Sequence, residues 1–154
     1  MDLNDNELKF WNKYLKTLEN SLENDFVEAG IAGDPNIANE LLELFLNGKK
    51  TAASGLVKDY EICDEELPEI GEHWIILDVD QNPKCIVKTI KVVFNRFDQI
   101  PLEIAIAEGE GDLSLEYWQK AHVEFFTPFL KEWGIADLNS EMVVTEFYKL
   151  VYKE

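Results

Sequence analysis

Arginine is almost absent from this sequence: Arg96 is the only one, and lysine brings the basic residues to just 14 against 31 aspartates and glutamates. The formal net charge of −17 works against holding a long polyanion. A protein that tracks a phosphate backbone needs clustered cations to release its counterions, and here the long-range field is repulsive. A small ligand is favoured over a polymer, and long duplex nucleic acid is not an expected partner. The same acidity also has a plainer use in solubility. Cysteine is scarce as well: Cys63 and Cys85 stand alone, in no metal or redox spacing, so no disulfide framework is expected and a reduced cytoplasm is the simplest home. No apolar run approaches the roughly 20 residues that cross a bilayer, and a membrane is not an expected partner. The opening MDLNDNELKFWNKYLK lacks a basic end followed by an apolar stretch, so it does not read as a secretory signal. His73 and His122 are the only histidines, and nothing gives them metal-ligand spacing. A Ser-His-Asp triad cannot be read, because Ser54-Gly55 lacks the nucleophile-elbow context. No motif implies a cofactor.

What is present suits one packed domain. The 154 residues are 46% hydrophobic and 12% aromatic, enough for a continuous core. Leu8, Trp11, Leu15 and Leu18 fall at helical spacing on one face, with Asn4 or Asp5 as the cap. Asn20 to Gly33 reads as a loop with a short turn. A second helix is marked by Asp34 as N-cap, Pro35 at the first helical position, a stripe of Ile37, Leu41, Leu44 and Phe45, and Gly48 as the closing left-handed residue. Beyond Gly48 strands are expected: part of Thr51–Ile62, then His73–Val79 and Cys85–Phe94 joined by a turn at Asp80-Gln81-Asn82-Pro83. The acidic, glycine-broken run AEGEGDLS precedes a third helix, capped by Asp112 or Ser114, with Leu115, Trp118, Ala121, His122 and Phe125 inward. Thr127-Pro128 ends it in a turn reaching Trp133-Gly134, and Met142–Tyr152 forms a last long strand. Strands with helices inserted between them imply an α+β domain: a mixed, curled sheet or small barrel with helices at its side.

Two segments hold the candidate chemistry. In Gly48-Lys49-Lys50-Thr51-Ala52-Ala53-Ser54 a lysine and hydroxyls emerge together from a backbone reversal. A lysine desolvated by apolar walls loses its proton more readily and serves as a base toward a neighbouring hydroxyl. Lysines after a helix also simply stabilise its C-terminus in solvent. In Ala107-Glu108-Gly109-Glu110-Gly111-Asp112, glycines between carboxylates let the backbone approach a ligand closely, and neighbouring carboxylates suit acid–base work. The spacing is not that of a calcium loop, and a solvated acidic loop with Asp112 as a cap is the structural alternative. Trp118, Phe125, Phe126 and Trp133 offer stacking faces, although aromatics at helical spacing are by default core.

Taken together, these segments resemble the ASCH family of the PUA-like superfamily. The G-x-K signature stands as Gly48-Lys49-Lys50 after the helix DPNIANELLELFLN. The E-G-E-G-D run, Glu108–Asp112, is followed by Ser114–Trp118 and His122, as in a larger bacterial subgroup, and Pro68 to Asp78 fits as well. The resemblance covers about residues 33–153, so residues 33–154 read as the ASCH domain and residues 1–32 as a helical extension packed on it.

The resemblance implies a PUA-like small mixed β-barrel with flanking helices. It also implies a cleft beside the barrel that binds a nucleotide, a modified nucleoside or short single-stranded RNA. Some small members are amidohydrolases acting on N4-acylated cytidine; there the motif lysine is the base, a threonine three positions later the nucleophile, and a downstream glutamate the support. Carried over by position, these are Lys50, Ala53 and Glu110. Because alanine has no nucleophile, Ser54 or Thr51 would have to replace it, so binding is the expected function and hydrolysis the alternative. Gly48, Lys49, Glu108, Asp112 and Trp118 are the further ligand-binding candidates. A third reading is a protein-interaction domain with a vestigial cleft.

Overall fold

The computed structural model describes residues 2–154. Its helices are α1 (Asp5–Leu15), α2 (Ala38–Leu46), α3 (Val57–Ile62), α4 (Leu102–Glu108) and α5 (Leu115–Phe126). Its strands are β1 (Val27–Ile31), β2 (Ala52–Leu56), β3 (His73–Leu77), β4 (Pro83–Arg96) and β5 (Met142–Lys153). The strands hydrogen-bond in the order β1-β3-β4-β5-β2. β1 runs parallel to β3, whereas β3 with β4 and β2 with β5 are antiparallel. The fold is therefore α+β with a mixed sheet, as the sequence implies. Among the described residues no helix is long and apolar enough to cross a membrane. The chain divides into two compact units, and the long strands β4 and β5 each contribute to both.

The first unit comprises Met1–Thr51, Glu69–Ile90 and Tyr148–Glu154. Helix α1 begins at a full capping box: the Asn4 side chain accepts from the Glu7 amide at 2.9 Å, and the Glu7 carboxylate accepts from the Asn4 amide at 3.0 Å. Two of the orphan amides of the first turn are thereby satisfied. Its buried face is Phe10, Trp11 and Tyr14, with Leu15 and Leu18 packed against the same core as the sequence stripe implies, while Leu8 of that stripe is exposed. The aromatic rings bury more surface than leucines and set the orientation. They pack with Val27, Ile75, Leu77 and Ile86 into one core.

Strand β1 corrects the expected loop over Asn20 to Gly33. Its sequence, VEAGI, has small residues where a strand pattern wants branched ones, and pairing with β3 makes it a strand. Gly30 carries its own tertiary bond, the Trp74 indole donating to its carbonyl at 3.2 Å. Helix α2 starts at Ala38, later than the Asp34-Pro35 start expected. Asp34 instead accepts from the Asn36 amide at 2.8 Å and its carbonyl from the Ile37 amide at 3.1 Å, a local turn that competes with helix. The helix ends as expected, with Gly48 at φ 79°. The Lys50 amide bonds back to the Leu44 carbonyl at 2.9 Å, which sends the chain out of the helix. Between β3 and β4, Asp78 fixes the expected turn by accepting from the Asp80 and Asn82 amides at 3.0 and 2.9 Å.

The second unit comprises Ala52–Pro68 and Lys91–Phe147. The sequence's extended segment is split here, β2 giving way at Leu56 to the short helix α3. Its core holds Leu56, Phe97, Ile104, Trp118, Phe126 and Val143, all at most 3% exposed. Helix α4 was not legible as a helix, and it alters the acidic run: Glu108 is its last residue, not part of a loop. Gly109 follows as a left-handed cap at φ 70°. Helix α5 starts at Ser114, whose hydroxyl accepts from the Tyr117 amide at 3.0 Å. Its inner face is carried by Trp118 and Phe126; Phe125, expected inside, is exposed.

Candidate functional site

Glu108 is the centre of the second unit's polar chemistry. Only 3% of it is exposed, so its carboxylate must be held by hydrogen bonds. Helix α4 delivers it, and two other elements, β2 and α5, supply its partners. From β2, the Ser54 hydroxyl donates to Oε2 at 2.8 Å. From α5, the Trp118 indole N–H donates to the same oxygen in a very short bond, and the Nε2 of His122 lies 3.5 Å from Oε1. Ser54 is oriented in turn by Thr145, its cross-strand partner on β5, with 2.7 Å between hydroxyls. Since the Ser54 proton is committed to Glu108, Thr145 is the donor of that pair. The relay runs from Thr145 to Ser54 to Glu108.

His122 is fixed by its helix. Its Nδ1 is 2.7 Å from the Trp118 carbonyl oxygen, and its ring stacks on the Trp118 indole with centroids 3.9 Å apart and planes 18° apart. A carbonyl only accepts, so Nδ1 carries a proton. Nε2 is thereby turned toward Oε1 of Glu108.

A small pocket opens beside this cluster, lined by Ala105, Glu108, Glu110, Tyr117, Trp118 and His122. About 10 Å³ of it is open to the centre of a water molecule, roughly what one water requires. Drug-sized ligands occupy pockets of several hundred Å³, so only a small polar group enters. Tyr117 stands at the pocket 40% exposed. Its ring lies over Gly111, where φ is 59° and an added Cβ would come 2.5 Å from a ring carbon. Only glycine allows that approach. Among the described residues no three His, Cys, Asp or Glu side chains come together in a way that would hold a metal ion.

The ASCH domain family model matches residues 28–152. The chain belongs to the ASCH domain family. An ASCH domain from Lactobacillus crispatus is 30% identical, with a TM-score of 0.90 over 99% of this chain and 98% of that one. A protein from Enterococcus faecalis is 28% identical, with a TM-score of 0.82 over 95% of this chain and 88% of its own. An ASCH protein from Zymomonas mobilis, 9% identical with a TM-score of 0.51 over 82% of this chain and 68% of that one, shares the fold alone. No curated protein matches the sequence.

Within this ASCH domain the residues singled out in the sequence fall as follows. Gly48 and Lys49 are exposed, and the Lys49 amide donates to the Asn47 side chain at 3.0 Å. Lys50 is buried, its ammonium 5.7 Å from the centroid of the Phe45 ring. Thr51 is exposed, and its carbonyl accepts from the Tyr148 amide at 2.8 Å. These four belong to the first unit; Ser54, Glu108, Glu110, Asp112 and Trp118 belong to the second. Ser54, Glu108 and Trp118 meet directly, and Glu110 joins Glu108 and Trp118 at the pocket. Asp112 is exposed and accepts from the Ser114 amide at 2.9 Å. The Ser114 hydroxyl and amide hold its carboxyl below the usual range.

Sequence reasoning did not select Thr145, Tyr117 or His122 for this site. His122 had a usable signal, its four-residue spacing from Trp118. Thr145 had none, being 91 residues from Ser54.

Proposed function

We propose that this ASCH domain binds a nucleoside-type ligand, free or as part of a short single strand, at the mouth of the Glu108 pocket. The observation that carries the reading is the exposed Tyr117 ring held over Gly111 beside a pocket too small for a base. A base stacks on that ring, a contact worth about 1–3 kcal/mol. Glu110 accepts from an exocyclic amine, and only a small substituent enters the pocket. The net charge of −17 favours a small ligand over a long polyanion.

Binding is favoured over N-acyl hydrolysis on two grounds. Ala53 has no hydroxyl, and the Ser54 hydroxyl is engaged on both sides, donating to Glu108 and accepting from Thr145. The test is titration of cytidine, N4-acetylcytidine and a short oligoribonucleotide against intrinsic fluorescence, with chromatography for released cytidine. Saturable binding without product is expected, weakened at least tenfold in Tyr117→Ala and in Glu110→Gln. Release of cytidine that disappears in Lys50→Ala would establish the hydrolase instead. Absence of binding to all three probes would overturn the reading.

A further inference from the structure

His73, at the start of β3, is buried to 2% exposure in the first unit, far in sequence from the residues of the pocket. Helix α1 covers it. Tyr14 places its hydroxyl 3.1 Å from Nε2, and the rings of Trp11 and Tyr14 pack on the imidazole at 5.1 and 5.5 Å between centroids. Nδ1 is buried and, among the described residues, has no hydrogen-bond partner. A neutral imidazole tolerates this, since only one nitrogen is left unpaired. An imidazolium has two N–H donors, and here one of them would be a charged donor sealed from water.

Of the other groups around His73, the Phe26 carbonyl favours the charged ring, but burial and Lys88 outweigh it. That carbonyl, just before β1, also accepts from the His73 amide at 2.9 Å. On β4, the residue opposite is Lys88, whose positive charge opposes a second one. From α1 the titratable neighbour is Tyr14, itself backed by Tyr152 of β5 at 6.1 Å. Burial first and Lys88 second push the imidazole down from 6.5 to about 4.

We infer that α1 is docked by a neutral His73 and that protonation of this buried ring releases the helix, making its docking acid-sensitive. The helix is the element that yields because β3 is hydrogen-bonded on both edges, to β1 and to β4. Helix α1 is held through side chains, chiefly Phe10, Trp11 and Tyr14. The direction follows from linkage. The undocked imidazole takes up its proton near pH 6.5 and the docked one only near 4. Docking is therefore at full strength above pH 6.5 and weakens by roughly tenfold per pH unit as pH falls toward 4. Release would expose the aromatic face of α1 and the β-sheet surface beneath it.

The experiment is hydrogen exchange by mass spectrometry at pH 7.5, 6, 5 and 4.5, corrected for intrinsic exchange, on wild type and His73→Gln. The expected result is little change in residues 5–15 of the wild type between pH 7.5 and 6.5 and roughly tenfold loss of protection per pH unit below that. Amides of β3 and β4 stay protected, and α1 is unresponsive in His73→Gln. If that variant does not fold, the two histidines are followed in wild type by NMR, where the His73 titration should coincide with loss of α1 protection. Unchanged α1 protection at pH 4.5, an equal loss in His73→Gln, parallel loss throughout β3 and β4, or a His73 titration near 6.5 with α1 protected would each overturn the inference.

Discussion

The relay from Thr145 through Ser54 to Glu108 makes an unusual sign prediction about stability. Ser54→Ala removes a hydrogen bond to a buried carboxylate, worth about 2 kcal/mol, and strands the Thr145 hydroxyl for about 1 more. Thr145 is fully buried, so water cannot easily rescue it. The single variant should therefore lose about 3 kcal/mol, or roughly 6–12 °C in Tm for a domain of this size. Thr145→Val keeps the shape, leaves the Ser54–Glu108 bond in place and costs about 1 kcal/mol. In the Ser54→Ala background the same change removes a stranded hydroxyl, so the double variant should be more stable than Ser54→Ala alone, by about 1 kcal/mol. Urea unfolding of the four proteins gives the cycle directly, with unchanged slopes confirming that the comparison concerns the folded state. Additive losses, or a Thr145→Val cost larger than that of Ser54→Ala, would refute the direction of the relay. If instead Ser54 donates to Thr145, two oxygen acceptors face each other at 2.8 Å, which requires Glu108 to carry a proton.

Two further changes test local features. Gly111→Ala forces a side chain into a left-handed position against the Tyr117 ring; a loss of about 1–3 kcal/mol is expected, together with weaker nucleoside binding, and urea unfolding and titration check the two effects. Asn4→Ala removes the capping box of α1 and should cost about 1 kcal/mol, read as a lower urea midpoint and as increased exchange confined to α1.

The local signals in the sequence were those that a residue carries with its near neighbours. Asn4 with Glu7 specifies a helix start, Ser114 with Tyr117 another, and Gly48 a stop, because each needs only a few residues of backbone to satisfy its hydrogen bonds. The β3–turn–β4 hairpin was likewise legible, its branched residues flanking a turn that Asp78 closes by itself. Ordered motifs such as Gly48-Lys49-Lys50 and Glu108–Asp112 were sufficient to suggest the family. Tertiary structure decided what depended on distant partners. VEAGI became a strand because β3 lay beside it, and α1 turned its aromatics inward because β3 and β5 presented surfaces for rings. Glu108, outwardly one of three equivalent carboxylates, became the buried one because α4 ends there and Ser54, Trp118 and His122 converge on it. Thr145 reached Ser54 only through the register of β2 on β5, and a single-residue slip would have turned it to the other face. Local sequence fixes backbone turns and caps over a few residues; which side chains are buried, and so which can share a proton or a ligand, follows from packing among segments far apart in the chain.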